Sequence, residues 1–94
     1  MNSCYIIFSQ KLDRFYTGVC RDNLALRIKK HNDQSYGKHR FTAKANDWKL
    51  FLNIECKSFA EAVKIERYIK SMKSSTYIKN LTKYPEMIDK LRLK

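Results

Sequence analysis

Five side chains of this 94-residue chain have types and spacings suited to chemistry: Tyr5, Tyr16, Arg27, His31 and Glu66. Two phenols held side by side can pack, or they can present two hydroxyls to a ligand. Arg27 and His31 are four residues apart, so on a helix they share a face. A guanidinium is planar and permanently charged, and it matches phosphate oxygens. A carboxylate on the packed face of a helix is expensive unless a cation or hydrogen bonds satisfy it. Brought together, these groups suit cleavage of a phosphodiester. Singly, each has a simpler reading. Arg27 is one of twenty basic residues and can be solvated. His31 near a helix end can serve only the helix dipole. Glu66 can bind a metal or pair with a basic side chain, and helical geometry does not choose between the two.

Other chemistries find little support. One acidic ligand with waters suits a single Mg²⁺, which uses few carboxylates plus substrate phosphate. No pair of carboxylates is shaped for two metals, and His39 lies in a basic loop. Gly18 and Gly37 are the only glycines, so there is no glycine-rich phosphate loop. No Ser-His-Asp or Cys-His arrangement stands out.

The elements that must position these groups follow from pattern. Cys4 to Ser9 and Phe15 to Val19 are rich in β-branched and aromatic residues and flank a polar turn, Gln10 to Arg14. That predicts a hairpin. A simple antiparallel register sets Tyr5 opposite Tyr16, on one face and about 5 Å apart. Asp22 or Asn23 caps a helix from Leu24 to about Asn32, with Leu24, Ile28 and His31 at helical spacing. A polar, basic loop runs from Asp33 to about Asp47. Trp48 to Cys56 reads as a third strand, with Leu50, Leu52, Ile54 and Cys56 alternating against Phe51, Asn53 and Glu55. Ser58 and Glu61 form a capping box for a helix reaching about Lys73. On it Phe59, Ala62, Val63, Ile69 and Met72 make an apolar stripe that contains Glu66. A short helix near Thr76–Leu81 and a last one from Pro85 to about Leu93 complete the chain. The expected fold is α+β, a small three-stranded sheet flanked by helices, in one domain spanning residues 1–94.

Composition bounds the partners. Net charge is +11, with ten basic and five acidic side chains in residues 1–56 and ten and four in residues 57–94. The excess is spread over the domain rather than held in a tail, and such a field attracts nucleic acid. Arg27, Lys30, Lys38, Arg40, Lys44 and Lys70 are the candidate DNA contacts. Cys4, Cys20 and Cys56 are scattered and without a C-x-x-C pair, which points to reduced thiols in a cytosol. No apolar run approaches a membrane span, and the start of the chain lacks the pattern of a secretory signal. The expectation is a cytoplasmic protein without membrane or small-molecule cofactor.

In order along the chain, these fragments resemble the GIY-YIG nuclease family in its small stand-alone form. Ser3-Cys4-Tyr5 keeps only the tyrosine of the first motif, and Tyr16-Thr17-Gly18 keeps the tyrosine and glycine of the second. Leu24 to Asn32, with Arg27 and the pair His31-Asn32, is similar to the family's arginine helix. Phe59 to Glu66, continued by Ile69-Lys70, is similar to its metal-glutamate helix. The resemblance covers roughly residues 3–81. It implies a three-stranded sheet between helices and metal-dependent cleavage of DNA with Mg²⁺ or Mn²⁺. It implies Tyr16 as activator of the water with Tyr5 supporting or sharing that role, Arg27 on the scissile phosphate, Glu66 on the metal, and His31 as base or phosphate contact. Val19 stands where excision-type members carry a lysine.

Three functions therefore compete. The first is a metal-dependent DNA endonuclease, structure-selective or nonspecific, in repair, recombination or defence. The second is a nucleic-acid-binding module that keeps the fold without useful activity. The third is a protein-interaction domain whose charge is incidental. The full set of Tyr5, Tyr16, Arg27 and Glu66 favours the first, because binding alone needs no acid on a packed face.

Overall fold

Three antiparallel strands form the centre of the computed structural model, which describes residues 2–33 and 44–93. The elements are β1 (Asn2–Ser9), β2 (Arg14–Cys20), α1 (Leu24–Asn32), β3 (Lys49–Cys56), α2 (Phe59–Met72), α3 (Ser75–Lys83) and α4 (Glu86–Arg92). The sheet order is β2-β1-β3, so β1 is central and β2 is an edge. Both faces of β1 are covered, and its residues 3–7 are all buried. Cys4 and Ile6 meet Ile54, Ile65, Ile69, Ile78, Leu81 and Leu91 on the side of α2, α3 and α4. Tyr5 and Ile7 meet Cys20, Ala45 and Trp48 on the other side, with Leu24 and Ile28 of α1 packed against them. Period-2 alternation along one strand thus feeds two cores.

The hairpin register differs from the expected one. Tyr5 pairs with Gly18, and Tyr16 pairs with Ile7. The turn is the reason. Leu12 N–H donates to Ser9 Oγ (3.1 Å), and Ser9 Oγ–H donates to Asp47 Oδ1 (2.6 Å). Lys11 N–H donates to Asp47 Oδ2 at 2.9 Å, and Asp13 adopts φ 52°. This fixes a four-residue loop and pairs Ser9 with Arg14. The shift from the expected pairing is two residues, which leaves every side chain on its original face. Tyr5 and Tyr16 remain on the same face as diagonal neighbours.

The third strand also departs from simple alternation. Ile6 pairs with Leu52 but Ile7 pairs with Leu50, so Phe51 is an extra residue in a bulge. A bulge reverses the facing of what precedes it. Leu50 is consequently half exposed, and Phe51 packs with Leu52 and Cys56 against the α2 side.

Helices α1, α2 and α3 start at short polar side chains that accept orphan amide protons. Asn23 Oδ1 accepts from Leu26 N–H, Ser58 Oγ from Glu61 N–H, and Ser74 Oγ from Tyr77 N–H. Glu61 reaches back to Lys57 N–H (2.9 Å), which completes the capping box with a one-residue offset. The Ser74 cap starts α3 earlier and α3 runs further than the sequence pattern suggested. On α2 the buried residues are Ala62, Ile65 and Ile69. Met72 is 41% exposed and falls off the stripe, because α2 ends there with Lys73 in a left-handed conformation.

Candidate active site

At the β2 edge, Tyr5, Tyr16, Gly18, Val19, Arg27, His31 and Glu66 line a pocket of about 210 Å³. All five candidate catalytic residues are in it, and they come from four elements in both layers. Tyr5 and Tyr16 descend from β1 and β2. Arg27 and His31 share the face of α1 that also carries Leu24 and Ile28. Glu66 arrives from α2, which lies on the other face of the sheet. It can join them because β2 is an edge strand, with no fourth strand beyond it among the described residues.

The inner part of the pocket is tightly fixed. The Tyr5 hydroxyl lies 2.8 Å from His31 Nε2, a buried hydrogen bond whose donor depends on the imidazole tautomer. Tyr5 and His31 are 2% and 5% exposed. The His31 ring also stands 5.4 Å from the Tyr16 ring, centroid to centroid. The Tyr5 ring lies over Gly18, where any Cβ would come within 3 Å of its oxygen.

The outer part carries charge and is open to solvent. Lys70 Nζ lies 3.2 Å from Glu66 Oε2 and 5.3 Å from the centroid of Tyr16. The Lys70 side chain is 48% exposed and that of Glu66 18%. Half-solvated i,i+4 pairs of this kind contribute about 0.3–0.5 kcal/mol. Breaking a buried pair would cost about 3–5 kcal/mol. The Glu66–Lys70 pair belongs to the weaker class, so it gives little structural reason for a carboxylate in this pocket. Among the described residues no three metal-ligating side chains converge. A single carboxylate lining a pocket of about 210 Å³ fits a hard divalent cation that keeps most of its water.

Of the remaining candidate DNA contacts, Lys30 and Lys44 are exposed and do not line this pocket. Lys38 and Arg40 lie outside the described residues, as do Gly37 and His39. Val19 puts an apolar side chain into the lining, whereas Lys70 brings an ammonium to Glu66 and Tyr16.

Two positioning groups went unassigned at the level of sequence. Asn32 clamps the residue before β3: Trp48 N–H donates to Asn32 Oδ1 (2.7 Å), and Asn32 Nδ2–H donates to Trp48 O (3.0 Å). This ties the end of α1, and with it His31, to the sheet. Asp47 holds the hairpin turn as described above. Their partners lie 16 and 36 to 38 residues away, beyond the reach of any local pattern.

Chemically, the pocket sets a fixed cation, a carboxylate, a phenol and a histidine around one small volume. That is the set needed to hold a phosphodiester, stabilise its charge and deliver water. Compared with known protein families, the chain matches the GIY-YIG catalytic domain over residues 1–81. No curated protein and no solved structure matches it.

Proposed function

This chain belongs to the GIY-YIG family of nuclease domains, and we propose that it is a metal-dependent DNA endonuclease acting in repair, recombination or defence. The observation that carries this reading is the meeting of Tyr5, Tyr16, Arg27, His31 and Glu66 in one pocket at the sheet edge.

Each group has a distinct task. Arg27 holds the scissile phosphate and neutralises its developing charge. Glu66 would hold a Mg²⁺ or Mn²⁺ ion through its carboxylate. Such an ion, when bound, supplies charge stabilisation at the leaving oxygen. Tyr16 is half buried and accepts the proton of the attacking water at its phenolic oxygen. Tyr5 is fully buried and orients His31 through their hydrogen bond. Substrate affinity comes from the cationic surface and falls with salt.

The test is a nicking assay with Mg²⁺ or Mn²⁺ on duplex, flap, branched and single-stranded DNA, with Glu66→Gln alongside. The expected result is metal-dependent nicking by the wild type and none by a variant that still melts and binds DNA normally. Binding without any nicking by the wild type would leave a nucleic-acid-binding module. A stable variant that still nicks would move the metal site away from Glu66.

A further inference from the structure

A second, larger groove of about 500 Å³ adjoins the pocket, between β2 and the junction of α2 with α3. Tyr16 lines both cavities, and Lys70 lines the groove while pairing with Glu66 of the pocket. We propose that this groove is a subsite for one unpaired nucleotide next to the scissile phosphate. The choice of ligand class rests on the nuclease reading given above.

Three observations support it. The first is chemical. Among the described residues, Arg14, Lys70 and Lys73 set three cations on the groove against one acid, Asp13, while Ile69, Ile78 and Phe15 give it an apolar lining. Cations bind phosphate, and an apolar and aromatic surface binds the face of a base. A base paired inside a duplex keeps its faces stacked and cannot use such a lining, whereas an unpaired nucleotide presents phosphate and base together. The second is size: the volume falls in the range of sites that enclose small organic ligands. The third is backbone conformation. Asp13 (φ 52°) and Lys73 (φ 48°) are the non-glycine residues at positive φ among the described residues, and both line the groove. At Lys73 a long cationic side chain stands at a helix C-cap where local sterics favour glycine. Residues kept in such conformations cluster at ligand sites.

The test is binding measured in EDTA by fluorescence anisotropy, with three DNAs: a duplex, a single-stranded oligo-dT, and an abasic strand of the same length and charge. The variant is Arg14→Gln/Lys73→Gln, and Lys83→Gln/Lys90→Gln, outside the groove, is the control for general charge. The wild type should prefer oligo-dT to the abasic strand several-fold. The groove variant should lose about tenfold on oligo-dT and no more than about threefold on duplex, and its salt slope on the single strand should fall by about 1.4 for two lost phosphate contacts. The control should leave the preference for oligo-dT intact. Equal losses on duplex and single strand, equal losses in the control, or no preference for bases over the abasic strand would each overturn the subsite. These readouts need no cleavage. A wild type that shows them without nicking loses the nuclease assignment and keeps the groove as a site for an unpaired nucleotide, and one that nicks without them loses only the subsite.

Discussion

The Tyr5 ring lies across the backbone of Gly18, its partner on β2, so closely that a Cβ there would stand 2.6 Å from the phenolic oxygen and 2.7 Å from Cζ. Contact that short requires something to move. Tyr5 is 2% exposed and bonded to His31, so its ring has nowhere easy to go. Gly18 is therefore a packing requirement of the site. Gly18→Ala should destabilise the fold by about 1–3 kcal/mol, as overpacking does. It should also lower nicking beyond what the change in folded fraction accounts for, because the Tyr5–His31 pair shifts. Thermal melting and single-turnover nicking on the same preparation check both. A variant with wild-type melting and activity would show that the ring yields freely.

Much of this arrangement was legible in the sequence because it is local. Asn23 and Ser58 start helices by bonds to amides three residues on, and such bonds leave a short-range signature. Faces were legible too: placing Tyr5 and Tyr16 on one side survives a two-residue error in register, because side chains alternate with period 2. The register itself was not legible. It is set by Ser9 and Asp47, 38 residues apart. The bulge at Phe51 was hidden for the same reason, since it exists only against Ile6 and Ile7 of another strand. For Glu66 the sequence shows the packed side of its helix and leaves a metal or a basic side chain as its partner; that Lys70 stands beside it, one turn away and half solvated, depends on where the edge of the sheet leaves room for water.

The Asn32 clamp gives a second prediction. Its amide both accepts from and donates to the backbone of Trp48, which is buried. Asn32→Ala removes two hydrogen bonds, each with a net contribution of about 1 kcal/mol. The expected loss is about 2 kcal/mol by urea denaturation. Asn32→Asp retains the acceptor for Trp48 N–H and sets an oxygen against Trp48 O, so it should recover little. Melting of either variant at the wild-type midpoint would show that the clamp is incidental.

Asp47 makes stability depend on pH. Its hydrogen bond from Ser9, and next that from Lys11 N–H, hold its carboxyl below the usual carboxylate value of 3.8. The unfolded chain then binds a proton more readily than the folded one in the acid range, so stability rises with pH there. The increment is fully present above the unfolded value and is lost as pH falls through the lowered folded value. Asp47→Asn should be less stable than wild type at pH 6, and the difference should shrink as pH drops below about 4. Urea melts across pH 2–6 measure it. A constant gap between the two proteins over that range would remove Asp47 as the titrating group.

Burial separates the three thiols. Cys4 is fully buried, and that burial pushes its thiol up to about 12. Cys20 is likewise fully buried, while Cys56 is partly exposed. The thiolate is the reactive form, so access and ionisation both protect Cys4. With a neutral alkylating reagent at pH 8, one thiol per chain should react in the native protein, and peptide mapping should find it at Cys56. All three should react in urea. Labelling of Cys4 under native conditions would mean that β1 opens far more often than its central place in the sheet allows.

The two tyrosines should separate cleanly. Tyr5 is buried and shares its hydroxyl with His31 Nε2, so Tyr5→Phe takes that partner from a histidine only 5% exposed. Leaving a buried polar group without its partner costs about 1–3 kcal/mol, and the melting temperature should fall accordingly. Tyr16 sits in the outer part of the pocket beside Lys70, and its ring packing is retained in Tyr16→Phe. If its oxygen takes the proton of the attacking water, that variant should melt like wild type and lose about 10²–10⁴ in rate, the usual contribution of a general base. The two variants thus invert each other, one reading out in stability and the other in rate. A Tyr16→Phe enzyme with near wild-type nicking would pass the proton-accepting role to the Tyr5–His31 pair, and Tyr5→Phe would then show a loss of rate larger than its loss of folded protein.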